Sequence, residues 1–335
     1  TGSYCVFQYP YETKALSPEN AMLPEFNMFE NGHVLIRDKW DKPGADLAIS
    51  AGYQPLRCTA HRHFDQNSFQ LQVYGERIFH DPGHCCYRLN THQQSRAAKS
   101  HNCALIFKNG KELLQREVVG DIRHPQEPFN TLKFAGAIGD MYVIISDAAK
   151  LYDGEVNKCV RAFFIKMPHM MAIVDYVTAN EPISLAANFT ADNRENDLNV
   201  HLYSNERIVL RKRQSAVKLF SMYAISDGVM CSVNRSFGWG YVHDYYHPEP
   251  NFEGQGKEGS GLNYCFQAEN SGKENLMVHT LCFDKEERIR GLHVTRNENN
   301  IHLASADQKD FFDLTINGNK IILKQPGGQC DTFLL

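Results

Sequence analysis

The chain has 335 residues, 42% of them apolar and 22% charged, with a formal net charge of -4. That length can bury a large core without help from disulfides or metals, and the mildly acidic charge balance argues against nucleic acid as a partner, since phosphate binding is driven by clustered basic charge. No run of about 18 apolar residues occurs, which excludes a membrane-spanning helix.

In chain order, the opening TGSYCVFQYPYETK has neither an initiator Met nor an apolar signal core, and Thr1-Gly2-Ser3 reads as a cloning remnant. The expectation is a cut fragment: an extension or linker over 1–25, then one β-sandwich domain over 26–335 with a candidate sub-boundary within 226–263. Short apolar or alternating runs then recur: HVLIR, SFQLQVY, RIFH, CALIFKNGKELL, MYVIISDA, RAFFIKM, MAIVDYV, IVLRKR, LMVHTLCF and FFDLTINGNKIIL. Their lengths and their β-branched and aromatic content mark them as strands. Asn109-Gly110 and Asn317-Gly318 sit between apolar runs, the strongest short hairpin signal. No segment of a dozen residues keeps a 3.6-residue period. The fold class is therefore all-β, a large antiparallel sandwich of long sheets. None of the ten cysteines makes a C-x-x-C pair, and the thiols are expected to be mostly free.

Polar chemistry concentrates in TAHRHFDQNSFQLQVYGERIFHDPGHCCY, residues 59–87. In a straight strand His61, His63, Asp65, Asn67, Phe69, Leu71 and Val73 share one face. The second half of that face is core, whereas unpaired imidazoles and a carboxylate are costly to bury. Gly75 lies near the hairpin tip, so Asp81 pairs back near Phe69 or Gln70. His63 would then stand roughly 20 Å from Asp81 if the strand ran straight. DQN at 65–67 is turn chemistry, and a reversal there brings His61 and His63 over the hairpin. With His101, which opens the strand CALIFKNG, His63 and Asp81 make a two-imidazole, one-carboxylate set suited to Zn²⁺. Asp65 is a turn residue if the strand bends and the alternative ligand if it does not. A separate reading takes His63 and Asp65 as an H-x-D pair that, with a distal histidine, binds Fe(II) as in facial-triad oxygenases.

These pieces together resemble the heparinase II/III-like family of polysaccharide lyases: HRHFDQNSF, then YGERIFHDPG, Tyr87, SHN at 100–102, and YDGEVNKCVRAFFIKMPHMMAIVDYV at 152–177, preceded by FNMFENGHVLIRDKW at 26–40. The likeness runs over about 26–190. It implies a β-sandwich that works beside an N-terminal (α/α) toroid in the full-length chain, an acidic polysaccharide or oligosaccharide as partner, and β-elimination at a uronic acid. It further implies His61 in the active-site cleft, serving charge neutralisation or proton transfer. His63, Asp81 and His101 would hold a structural metal, zinc before calcium or iron, and the compartment would be periplasmic or secreted. The toroid's own Tyr and Asn have no counterpart here, so this chain alone is expected to be inactive. A non-catalytic carbohydrate-binding or structural metal-containing sandwich is the competing expectation.

The remaining candidates carry two readings each. Arg161 either faces an anionic substrate or is a solvated or paired surface group. Trp239, Tyr241, Tyr245 and Tyr246 either stack on sugar rings or pack a loop. The basic stretch 206–218 either attracts an acidic glycan or forms a solvated strand face. His80 and His84, on either side of Asp81, read as solvated.

Overall fold

The structure is a computed structural model that describes residues 14–41, 44–52, 63–81, 91–116, 131–193, 195–223, 229–234 and 262–335. Strands β1 (Phe26–Met28), β2 (His33–Arg37), β3 (Ala45–Ser50), β4 (Phe69–Val73) and β5 (Glu76–Phe79) form an antiparallel meander. A one-turn-and-a-half helix, α1 (Thr91–Arg96), precedes the hairpin β6 (Ala104–Lys108) and β7 (Lys111–Leu113). A second meander follows in β8 (Leu132–Ile138), β9 (Met141–Asp147) and β10 (Lys158–Lys166). Next come β11 (Met170–Ala191), β12 (Asn199–Ser204), β13 (Arg207–Arg211), β14 (Ser215–Tyr223), β15 (Val229–Asn234), β16 (Leu262–Ala268) and β17 (Gly272–Lys285). The chain closes with a five-stranded meander, β18 (Leu292–Asn297), β19 (Asn300–Ser305), β20 (Phe311–Asn317), β21 (Lys320–Lys324) and β22 (Cys330–Leu334).

The 22-residue β11 organises the rest. Its first half, Met170–Thr178, pairs with β10 on one side and β17 on the other. Its second half, Ser184–Ala191, pairs with β6 and β5 on one edge and β16 on the other. One strand thus belongs to two layers, with the register shifting between Thr178 and Ile183. The outer layer holds β1–β7, β15 and β16; the middle layer holds β8–β10, β12–β14 and β17; β18–β22 form a third.

Two apolar cores separate the three layers. Val34, Leu47, Phe69, Phe79 and Phe189 of the outer layer meet Phe163, Ile173, Leu219 and Phe283 of the middle one. On the other side of the middle layer, Phe164, Val174 and Val278 meet Leu303, Phe312 and Leu323. Sandwiched on both faces, β10 is buried at all but its first residue, which is why RAFFIK reads as a continuous rather than an alternating run. By contrast β4, with one buried face, alternates along FQLQV.

The all-β sandwich read from the sequence is what the chain forms, and its two Asn-Gly signals both close hairpins. Asn109 and Gly110 take positive φ of 51° and 75°, and Gly318 takes 58°. The candidate sub-boundary at 226–263 falls mostly outside the described residues. No helix among the described residues is long and apolar enough to cross a membrane.

Candidate functional site

The β4–β5 hairpin places Leu71 opposite Phe79, so Asp81 emerges beside the start of β4. Preceding β4, the chain reverses at residues 65–68: the Ser68 N–H donates to the Asp65 carbonyl at 3.0 Å, and Asn67 adopts φ 63°, a conformation asparagine tolerates better than most residues. The buried turn is held from several sides. The Gln66 N–H donates to Gln115 Oε1 at 3.1 Å, Gln66 Nε2 donates to the Ser50 carbonyl and to Thr131 Oγ1, and the Asn67 N–H donates to the Ser50 carbonyl at 2.9 Å. The break expected at DQN is therefore real, and it returns His63 to the hairpin.

His101 arrives on a segment that is not strand at all. β5 and β6 abut the same edge of β11, Phe79 opposite Ala191 and Ala104 opposite Ala187. Between them Asn102 substitutes for a strand: its Oδ1 accepts the Thr190 N–H at 2.6 Å and its Nδ2 donates to the Phe69 carbonyl at 2.7 Å. All four carbonyls from Lys99 to Asn102 are satisfied by buried side chains. Asn188 Nδ2 donates to Lys99 and His101, Asn263 Nδ2 to Lys99, Thr190 Oγ1 to Ser100, and Arg161 Nη1 to Asn102. Buried carbonyls outside regular structure need such partners.

The outcome is a triangle. His63, Asp81 and His101 each present a potential ligand atom, all within 4.8 Å of one another, and among the described residues they are the one such group of three. The His63 and His101 rings are 5.2 Å apart at 48°, and His101 Nδ1 is 2.7 Å from Asp81 Oδ2. The His101 side chain is fully buried, yet its Nε2 makes no hydrogen bond of normal geometry. Two imidazoles and a carboxylate are the donor set that a divalent cation of the zinc type satisfies. Burial alone would lower the His101 pKa, but the carboxylates of Asp81 and Asp65 outweigh it and raise it. Asp65, in turn, is pushed up by desolvation and by Asp81, against the pull of His101. It stands near the triangle as a turn residue and is not one of its corners, so the H-x-D pair is not what the fold assembles.

Arg161 is placed otherwise than either reading from sequence. It is 1% exposed, inside the sandwich, with Nε and Nη2 on the two oxygens of Asp175 at 2.6 and 2.8 Å and Nη1 on the carbonyls of Asn67 and Asn102. Its guanidinium is spent on the interior and does not reach the surface. Burial pushes the Asp175 carboxyl up, but Arg161 and His279 together bring it down to about 2. His279 is also fully buried, with Nε2 3.2 Å from Asp175 Oδ2 though not aligned for a hydrogen bond, and Nδ1 2.8 Å from Ser221 Oγ. Desolvation holds His279 below its ordinary pKa. Beyond Arg161, already a candidate from the sequence, a histidine interrupting the apolar run LMVHTLCF is the signal for this buried polar cluster; nothing in the sequence singled out Asn188, Thr190 or Asn263.

The basic stretch of β13 and β14 is neutralised locally. Lys212 is buried among Asp192, Glu195 and Asp197, Arg211 and Arg213 face Glu286 and Asp197, and Arg207 lies over the Phe220 ring. His80, half-buried, lines a groove on the outer sheet face with Asn27, Arg37, Trp40, Gln70 and Gln72. His61, His84, Trp239, Tyr241, Tyr245 and Tyr246 lie outside the described residues. Of the expected free thiols, Cys103, Cys159 and Cys282 are unbridged and buried, and burial pushes each thiol pKa up.

Residues 22–273 match the family model described as heparinase II/III-like, C-terminal. Among solved structures the chain is similar to a heparinase III at 14% identity (TM-score 0.61, covering 92% of this chain and 42% of that one). It is also similar to the heparan sulfate lyase HepC from Pedobacter heparinus at 12% identity (TM-score 0.62, covering 100% of this chain and 47% of that one). At these identities the likeness is one of fold, and the chain spans less than half the length of the structures it matches. No curated protein matches it significantly in sequence.

Proposed function

Since residues 22–273 make this chain a member of the heparinase II/III-like, C-terminal family, we propose that it is the β-sandwich part of a lyase that cleaves a uronic-acid-containing acidic polysaccharide by β-elimination. Such a reaction must neutralise the uronate carboxylate, remove the C5 proton and protonate the departing O4. In this reading His61 stands in the cleft as the sandwich's contribution to charge neutralisation or proton transfer. The toroid of the full-length chain supplies the remaining groups, and this chain alone turns over no polysaccharide. The groove of Asn27, Arg37, Trp40, Gln70, Gln72 and His80 offers an approaching glycan side-chain amides for its hydroxyls.

The metal is zinc, held by His63, Asp81 and His101, and its role is structural. Bound there it cross-links three segments that the backbone ladder does not join. The observation that carries the reading is the convergence, within 4.8 Å, of ligand atoms from the turn before β4, the end of β5 and the segment before β6. The purified chain should contain about one zinc per molecule by elemental analysis, as a three-ligand site requires, and His63→Ala should abolish it. Unchanged metal content in that variant, or iron in place of zinc, would refute the assignment.

A further inference from the structure

The buried Arg161 touches both segments that bring histidines to the triangle. Asn67, four residues after His63, and Asn102, directly after His101, each turn a carbonyl to the same nitrogen, Arg161 Nη1, at 3.0 and 2.7 Å. These segments are 35 positions apart in the chain and lie in the outer layer, whereas Arg161 rises from β10 of the middle layer. Its remaining donors, Nε and Nη2, are locked on Asp175, the residue directly opposite it on β11. Asp175 is backed in turn by His279, which rests on Ser221 and is walled by Phe189 at 5.2 Å. The side chain therefore has one position available to it, set by a carboxylate grip on a strand buried on both faces.

A guanidinium so placed is expensive as a mere core element, since burying a charged pair seldom stabilises relative to apolar side chains of the same volume. What the arrangement provides is a fixed distance between two loops. Resting on the zinc reading above, we propose that Arg161 is a positioning residue that sets the separation of the His63 and His101 segments, and through it the metal affinity and coordination geometry of the site. A lysine cannot replace it, because a single ammonium cannot grip both oxygens of Asp175 and still reach two carbonyls from a planar fork.

The test is Arg161→Lys, read by zinc affinity in chelator competition and by the visible absorption of the Co²⁺-substituted protein. Loss of a partner that orients ligands typically lowers metal affinity 10- to 100-fold, and that is the expected result, together with an altered Co²⁺ spectrum. Phe312→Ala, in the core on the far side of the middle layer, serves as the control and should leave both readouts at wild-type values while lowering stability. Should Arg161→Lys fail to fold, Asp175→Asn, which keeps the arginine but loosens its seat, should shift affinity in the same direction by a smaller factor. Wild-type affinity and spectrum in whichever of these variants folds, while His63→Ala loses the metal, would overturn the positioning role and leave the zinc reading standing. A wild-type protein that takes up no zinc would overturn both.

Discussion

The two interfaces of the middle layer are built on different principles. Between the middle and third layers, Phe164, Val174, Val278, Leu303, Phe312 and Leu323 make an apolar seam. Between the middle and outer layers a comparable apolar core is crossed by the polar row Arg161, Asp175, His279 and Ser221, which reaches out to the backbone of Asn67 and Asn102. The first interface holds the fold together by removing apolar area from water, a force without direction. The second gives up part of that gain for hydrogen bonds that specify where two loops sit. Both interfaces therefore stabilise the fold, and the one toward the outer layer fixes site geometry as well.

The largest expected effect separates the two sides. Phe312→Ala, with the ring fully buried, should cost about 3–5 kcal/mol in chemical denaturation while zinc content stays at the wild-type level. Loss of metal in that variant would show that the interfaces are not independent.

A smaller effect distinguishes them by pH. The Asp175 carboxyl titrates at about 2 in the fold against an ordinary 3.8. A depressed folded pKa contributes stability that is complete above the unfolded value and is lost as pH falls through the folded one, so the window is about pH 4 down to 2. The shift corresponds to about 2 kcal/mol at neutral pH. Denaturation midpoints followed across that window should fall less steeply for Asp175→Asn than for wild type. Parallel curves would mean that the polar row contributes no acid sensitivity.

The smallest effect belongs to the outside of the third layer. His302 Nδ1 lies 2.7 Å from Asp313 Oδ1, in a pair whose side chains are 27% and 16% exposed. His302→Ala should change stability by no more than about 1 kcal/mol, measured by thermal unfolding, and should leave the metal untouched.

Much of this architecture can be read from the chain. Alternation in FQLQV and the Asn-Gly turns place strands and hairpins, because side-chain period and left-handed turn residues are local properties. The break at DQN was legible for the same reason: Asn67 takes its positive φ within a four-residue turn. The convergence of His63, Asp81 and His101 was legible only once that turn was combined with the hairpin of β4 and β5. Arg161 shows the limit. From sequence it is a polar residue in a strand, and its surroundings are decided by layers that lie on either side of it.

The sequence by itself determined many of the strands, the all-β class, the turn chemistry at 65–67 and a short set of residues able to hold a metal, His63, Asp81, His101 and Asp65. Tertiary structure alone decided that β11 serves two layers, that β10 is buried on both faces, and that Arg161 looks inward to Asp175. It also decided that Asn188, Thr190, Asn263 and Arg161 hold the carbonyls around His101. The reason is physical: period and turn preference act over a few residues, whereas the burial of a charge and the satisfaction of a carbonyl depend on whichever distant strand happens to face them.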